Sequence, residues 1–319
     1  MKQYILAVET GGTKIQMAIG TPSGDILYNY RVNVKREKGF QGILEVVSEA
    51  LPDLLDRAGG LGGQIWRMGI GFGGPVDTKR GKSIWSAQID GWGDFPVSRY
   101  FEERTGIPTY LFNDSNAAAW GEYCRGIGQG ANVFFYTNIG SGIGGGAVID
   151  GKLFDGQGYG AAELGQSYIW NPFDTASAWP VIQLERICSG WGIENRLRTE
   201  SIPGDSLLWK LCDNNQKILD CRLWSQGIMA EDTYSIKVLD ETAELFSVAL
   251  SNVISFFSPE IIAVGGGVSL LGEPLIKRLN EYTAKYVYKN SLGRYKIRKS
   301  RLDEEIVLVG TLLLTGGME

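Results

Sequence analysis

No histidine occurs anywhere in the 319 residues. Histidine is the usual general base near neutral pH and the commonest zinc ligand. Any acid–base work must therefore fall to a carboxylate, a lysine or a tyrosine. Cysteine is sparse, and Cys124, Cys188, Cys212 and Cys221 form no CxxC pair. That speaks against a disulfide framework and a thiolate metal site, and it fits a reducing cytoplasm. No apolar run approaches the roughly 20 residues of a membrane span, and Met1-Lys2-Gln3 leads into a strand without a signal peptide. Basic excess is missing too. A net charge of −5 leaves no electrostatic footprint for nucleic acid and no attraction to an anionic membrane. The chain is long enough for two domains of ordinary size, and its 21% charged and 44% hydrophobic residues are ordinary for a globular protein.

The most informative stretch runs from Tyr110 to Arg125, YLFNDSNAAAWGEYCR. Tyr110 to Phe112 reads as the end of a strand, and the alanines from Ala117 lead into a helix, alanine being the best helix former. Asn113 and Asp114 sit at the break. Two readings of Asp114 stay open on these residues alone. It caps the helix by accepting a bond from an orphan N–H, or it points out of the sheet edge, where ligands bind in α/β folds.

Upstream, Tyr4 to Val8 and Ile15 to Ile19 read as strands around Glu9-Thr10-Gly11-Gly12-Thr13-Lys14, and Ile26 to Val34 as a third. No helix follows the glycines directly. This excludes the P-loop and the dinucleotide fingerprint. Glycines at a hairpin tip let backbone N–H groups approach an anion, although one such tip is also an ordinary turn. Phe40 to Ala58 has helical spacing, Trp66 to Gly71 is a strand, and the loop Gly71-Phe-Gly-Gly-Pro-Val-Asp77 follows. Ser83 to Asp94, with Gln88 and Trp92, has no clear period.

The opening pattern returns at Val133 to Asn138, Ile139-Gly-Ser-Gly-Ile-Gly-Gly-Gly146 and Ala147 to Ile149. Such a duplication implies two similar domains facing each other across a cleft. Gly160-Ala-Ala-Glu-Leu-Gly165 follows, then an irregular aromatic segment from Tyr168 to Pro180. Val181 to Arg198 reads as helical in two pieces. Thr233 to Phe257 is a long buried helix, Ile261 to Val264 a strand running into Gly265-Gly-Gly-Val268, and Pro274 to Lys289 a helix. That order suits a nucleotide over the strand end. Lys296 to Arg301 reads as a solvated basic face. Ile306 to Leu314 reads as packing back on the N-terminal half.

Taken in order, these parts resemble the ROK family of bacterial sugar kinases, within the actin-like, hexokinase-like ATPase superfamily. The resemblance covers nearly the whole chain. It implies an α/β fold of two actin-like (ribonuclease H-like) domains with a nucleotide and sugar cleft between them. The N-terminal domain would span residues 1–121 with the returning C-terminal helix 304–319, and the other domain 122–303. Asp114 resembles the catalytic base that takes the proton of a sugar hydroxyl. Asn113, Glu163 and Glu185 match residues that hold the sugar, with Gly74, Gln88 and Gln166 at further substrate positions. Thr10 to Thr13, with Lys14, and Gly140-Ser141-Gly142 as far as Gly144 resemble the two phosphate loops. Gly265, Gly266 and Gly267 resemble the adenosine loop. ATP and Mg²⁺ are the implied cofactors and a small sugar the partner; a homodimer is compatible with this reading.

Several positions depart from the family pattern. Glu9 stands where aspartate is usual, and the extra methylene alters how Mg²⁺ or its waters are held. Gly73 replaces a common proline, and Gln88 an asparagine. The usual ELGH reads Glu163-Leu-Gly-Gln166, and the zinc segment CxCGxxGC is replaced by Asn171-Pro-Phe-Asp-Thr-Ala-Ser-Ala-Trp-Pro. Zinc needs thiolate and imidazole ligands, so no zinc site is expected. The resemblance thus implies ATP-dependent phosphorylation of a hexose or N-acetylhexosamine, with Trp92 bordering the sugar. A sugar-binding sensor without turnover is the alternative. A repressor of the same family is the third reading, set lower because its DNA-binding segment would precede a strand that here begins by Tyr4.

Overall fold

The computed structural model describes residues 2–11, 14–34, 38–86 and 89–318. Three strands come first, β1 (Lys2–Thr10), β2 (Lys14–Gly20) and β3 (Ile26–Asn33), then helix α1 (Gly39–Gly60) and β4 (Gly63–Phe72). The short strands β5 (Val76–Asp77) and β6 (Lys82–Ser83) precede α2 (Val97–Thr105), β7 (Thr109–Asn113) and α3 (Asp114–Arg125). The first sheet has the order β3-β2-β1-β4-β7. Its first three strands form an antiparallel meander, and β4 and β7 add in parallel.

The uninterrupted apolar run in β1 is explained by burial on both faces. Strand alternation sends Tyr4, Leu6 and Val8 into one core with Ile43, Val47 and Leu54 of α1. Ile5 and Ala7 go to the other, with Leu308 and Leu312 of the returning helix α10 (Ile306–Gly316). The apolar C-terminal run thus packs on the N-terminal sheet, as its hydrophobicity suggests.

The second half supplies β8 (Val133–Asn138), β9 (Gly145–Ile149), β10 (Lys152–Phe154), β11 (Tyr168–Trp170) and β12 (Val181–Gln183). Helices α4 (Leu184–Cys188), α5 (Gly190–Thr199), α6 (Leu207–Leu211), α7 (Cys221–Met229) and α8 (Thr233–Phe257) follow. Strand β13 (Ile261–Gly265), helix α9 (Glu273–Tyr286) and strand β14 (Lys296–Lys299) complete this part. The second sheet has the order β10-β9-β8-β13-β14. It repeats the antiparallel hairpin followed by parallel strands, as the duplicated sequence pattern suggests.

Two compact units emerge. One holds residues 1–130, 146–161 and 302–319, and the other 131–145 and 162–301. A boundary at residue 121 would cut through α3, which is one helix to Arg125. One local expectation is also corrected and a second refined. The segment from Tyr168 is not wholly irregular, because β11 pairs with Val181–Gln183, which is a strand and not helix. The basic run does present a solvated face, with Lys296 and Arg298 exposed, but it is edge strand β14 with Ile297 buried between them. No helix among the described residues is long and apolar enough to cross a membrane.

Candidate active site

The β7–α3 junction resolves the two readings of Asp114. Asn113 is the N-cap, extended in backbone, and its side-chain carbonyl accepts the Asn116 N–H at 2.9 Å. Its amide nitrogen donates to the Gly74 carbonyl at 3.0 Å, tying the junction to the glycine loop after β4. Asp114 is therefore not the N-cap, although as the first residue of α3 it accepts one first-turn N–H. One of its oxygens accepts from Ser115, backbone N–H at 2.6 Å and hydroxyl at 3.2 Å. A Cβ built on Gly73 would lie 3.5 Å from Oδ2. That is ordinary contact, so the carboxylate does not exclude a side chain there; proline would instead lose the Gly73 N–H bond to the Thr10 carbonyl at 3.3 Å. Burial pushes the Asp114 carboxyl up to about 6, with the Ser115 bonds holding it back.

Glu9, near the end of β1, belongs to the same electrostatic cluster. Burial first and the Asp114 charge second push it up to about 7, against the pull of Lys14, Gln16 and Arg31. Two like charges in a desolvated place both resist ionising, and a cation nearby would relieve them. Thr10 turns its hydroxyl inward to the Gly71 carbonyl at 3.3 Å, and its own carbonyl accepts the Gly73 N–H at 3.3 Å. The Gly11 N–H is spent on the Lys14 carbonyl at 3.1 Å. The Lys14 amino group reaches Glu304 at 3.5 Å. Gly12, Thr13 and Gln88 lie outside the described residues. Trp92 is 3% exposed and wedged among Phe40, Phe72 and Phe95, and it also lines a small cavity with Thr10, Gly11 and Gly73.

The second unit holds the other candidates. Its glycine tip is closed by Asn138, whose side-chain Oδ1 accepts the Gly144 N–H at 2.8 Å. Gly140 donates to the Gly142 carbonyl at 2.9 Å, and Ser141 is exposed at the apex. The Gly265–Gly267 turn packs on this tip. Ile139 N–H donates to Gly265 and Val268 N–H to Ile139, both at 2.9 Å. Gly266 has φ +83°, and a Cβ on it would lie 2.6 Å from the Ile139 carbonyl. Only glycine lets these two loops meet backbone to backbone.

Glu185 joins the tip to the candidate sugar residues. Its Oε2 accepts the Ile143 N–H at 2.8 Å, and its Oε1 the Gln166 amide at 3.5 Å. Gln166 is exposed and accepts from Gln183 at 3.2 Å. Glu163 enters this cluster from Ala162, whose φ of +62° is strained for a residue with a Cβ. Gln166 and Glu185 are thus brought together in the second unit, with Glu163 joined to Gln166 through a backbone bond at 3.1 Å, while Asn113 and Asp114 belong to the first.

The segment standing where a zinc motif is expected is closed by its own polar groups. Asp174 accepts from the N–H groups of Ala176 and Ser177 and from the Ser177 hydroxyl, while Asn171 N–H donates to the Pro180 carbonyl at 2.7 Å. Phe173 lies under the Arg196 guanidinium, 4.2 Å from its ring centre. Two of the cysteines are poor thiolate formers: burial pushes Cys221 up to about 12 and also raises Cys188.

Sequence reasoning missed Gln16 and Arg196. Gln16 had a readable signal, being polar in the middle of the apolar run Lys14–Gly20. Arg196 had only the i,i+4 partner Glu200 to signal it, since Glu241 and Phe173 join it only in the fold.

A sequence model described as the ROK family matches residues 5–317. The chain belongs to the ROK family. It is 27% identical to a glucokinase of Halalkalibacterium halodurans over 97% of its own length and 93% of that protein. A ROK family glucokinase from Streptomyces griseus, solved in complex with glucose and AMPPNP, has a TM-score of 0.84 at 28% identity. That match covers 98% of this chain and 99% of the other. A xylose repressor of Caldicellulosiruptor bescii is 22% identical over 97% of this chain and 77% of the repressor. The architecture is therefore the two-domain actin-like α/β fold of ROK sugar kinases, in a family that also holds repressors.

Proposed function

We propose that this ROK protein is an ATP-dependent kinase for a hexose or N-acetylhexosamine. The observation that carries the reading is Asp114: a carboxylate where β7 gives way to α3, with Asn113 taking the N-cap position, one oxygen on Ser115, and its carboxyl pushed up to about 6. Phosphoryl transfer asks the protein mainly for alignment and charge neutralisation. Asp114 would accept the proton of the attacking hydroxyl as the bond to phosphorus forms. Asn113, Glu163, Glu185 and Gln166 would hold the remaining hydroxyls. The tip Gly140–Gly142 and the turn Gly265–Gly267 would receive phosphate and adenosine.

Mg²⁺ would arrive with ATP as substrate. The site's own chemistry fits a hard cation, because Glu9 and Asp114 are two carboxylates that burial leaves under-neutralised. Bound, it would offset charge on the phosphates. The relatives' names support glucokinase chemistry without fixing the sugar, and the repressor relative keeps a sugar sensor as the second reading. The test is sugar-dependent ADP release over a panel of hexoses and 2-acetamido hexoses. Turnover on at least one member is expected. Sugar binding without turnover on any would replace the kinase reading with the sensor.

Gln166 yields a sharper expectation. It neither titrates nor carries charge, and it is tied to both Glu185 and Gln183. Gln166→Ala should raise KM for the best substrate and erode discrimination between glucose, mannose and their 2-acetamido forms by roughly 1–3 kcal/mol. Comparing kcat/KM for both proteins on the four sugars checks this, and unchanged ratios would remove Gln166 from the sugar site.

A further inference from the structure

Gln16 is 0% exposed in a strand whose neighbours Ile15 and Met17 are equally buried. A buried amide is costly unless each of its groups is bonded. Here all of them are. Its Nε2 donates to Glu9 Oε2 at 2.8 Å and to the Glu304 carbonyl at 3.2 Å. Its Oε1 accepts from Arg31, Nε at 3.0 Å and Nη2 at 2.6 Å. The three side chains are directly opposite one another across β1, β2 and β3, Glu9 facing Gln16 and Gln16 facing Arg31. Arg31 is itself held by Glu304 Oε2 at 2.7 Å. Arginine can only donate and a carboxylate only accept. The amide orientation is therefore dictated by its partners: nitrogen toward Glu9, oxygen toward Arg31.

We propose that Gln16, turned by Arg31, is a positioning residue that fixes the Glu9 carboxylate for the divalent cation accompanying the nucleotide. The inference rests on the kinase reading. It explains how the longer Glu9 serves where the family pattern has aspartate. A free glutamate has one more rotor than aspartate, and the amide removes that freedom by holding one oxygen. Glu304 extends the ladder to the turn that opens α10, so the returning C-terminal segment also takes part.

Calorimetric titration of the full chain with ADP, with and without Mg²⁺, isolates the effect from turnover. The wild type should bind ADP about tenfold or more tighter with Mg²⁺, a coupling of ordinary size. In Gln16→Leu that ratio should fall below about threefold while metal-free ADP affinity stays unchanged. Arg31→Met leaves Gln16 in place but frees its amide, and should lower the ratio in the same direction; Arg31→Lys should restore part of it. If Gln16→Leu does not fold, Arg31→Met decides alone. Wild-type coupling retained in a folded Gln16→Leu, or in Arg31→Met, overturns the positioning role. ADP binding that Mg²⁺ does not strengthen in the wild type overturns it too. Absence of ADP binding altogether overturns the kinase reading along with it.

Discussion

Asp114→Asn is expected to lower kcat for sugar phosphorylation by about 10²–10⁴, the range for a lost general base. ADP affinity should change little. The fold should survive, because the cap of α3 is Asn113 and not Asp114. Stability offers an independent check whose sign can be worked out. In the folded chain Asp114 ionises at about 6 against an ordinary 3.8. Between those values the folded state binds more protons than the unfolded state. This group's contribution to stability therefore falls as pH rises through that window, and the penalty is fully present above it. Asparagine removes the penalty. The variant should be more stable than wild type at pH 8 by roughly 1–3 kcal/mol and nearly equal to it at pH 4. Denaturant melts at both values, beside steady-state kinetics, would show an inactive but stabilised protein. Turnover within threefold of wild type would remove Asp114 as the base, and equal stability at pH 8 would show that its carboxylate is not desolvated.

That a function was legible at all came from the order of small motifs. Their glycines and carboxylates do jobs that few other residues can do. Gly266, at φ +83° and in backbone contact with Ile139, is one such position. Asp114 after Asn113 at a strand end is another. The long helix α8 was legible because its apolar residues repeat on nearly every turn, and α10 because its run is almost wholly apolar, with its helical form implied by the family resemblance. What could not be read depended on groups that meet only in three dimensions. The three rings packed around Trp92 are one example. The β11–β12 ribbon escaped notice because each strand has three residues, too few for a period of two to emerge. The choice between Asn113 and Asp114 as cap turned on backbone geometry, since adjacent polar residues at a strand end look alike in sequence and only the extended Asn113 aims its side chain at the Asn116 N–H.

Gly310→Ala should be the most damaging conservative substitution on the surface where α10 crosses α3. Local propensity argues the other way, since alanine favours a helix over glycine by about 0.8–1.0 kcal/mol. Packing decides the sign. A Cβ on Gly310 would lie 1.7 Å from the Ala117 carbonyl oxygen and 2.4 Å from its carbon. No side chain can rotate away, because both atoms are backbone. Facing it, a Cβ on Gly121 would meet Ile306 O at 2.8 Å and Gly310 N at 2.9 Å. The helices touch main chain to main chain and would have to move apart. Helix α10 cannot yield freely, since its other side is fitted to the glycines of β4. A Cβ on Gly69 would meet the Thr315 hydroxyl at 2.0 Å, and one on Gly71 the Val307 methyl at 2.7 Å. Overpacking typically costs 1–3 kcal/mol and occasionally more; with two rigid backbones in contact, a net loss of about 3 kcal/mol or more is expected. The same displacement would shift Leu308 and Leu312 off Ile5 and Ala7 of β1, the strand that carries Glu9, so nucleotide binding should weaken with stability. Gly59→Ala is the control. It lies in the last turn of α1 with nothing within 4 Å of the new Cβ, and there propensity alone should act, leaving stability unchanged or slightly raised. Urea melts of the three proteins separate the cases, and a Gly310→Ala protein as stable as wild type would show that the two helices do not cross at backbone contact.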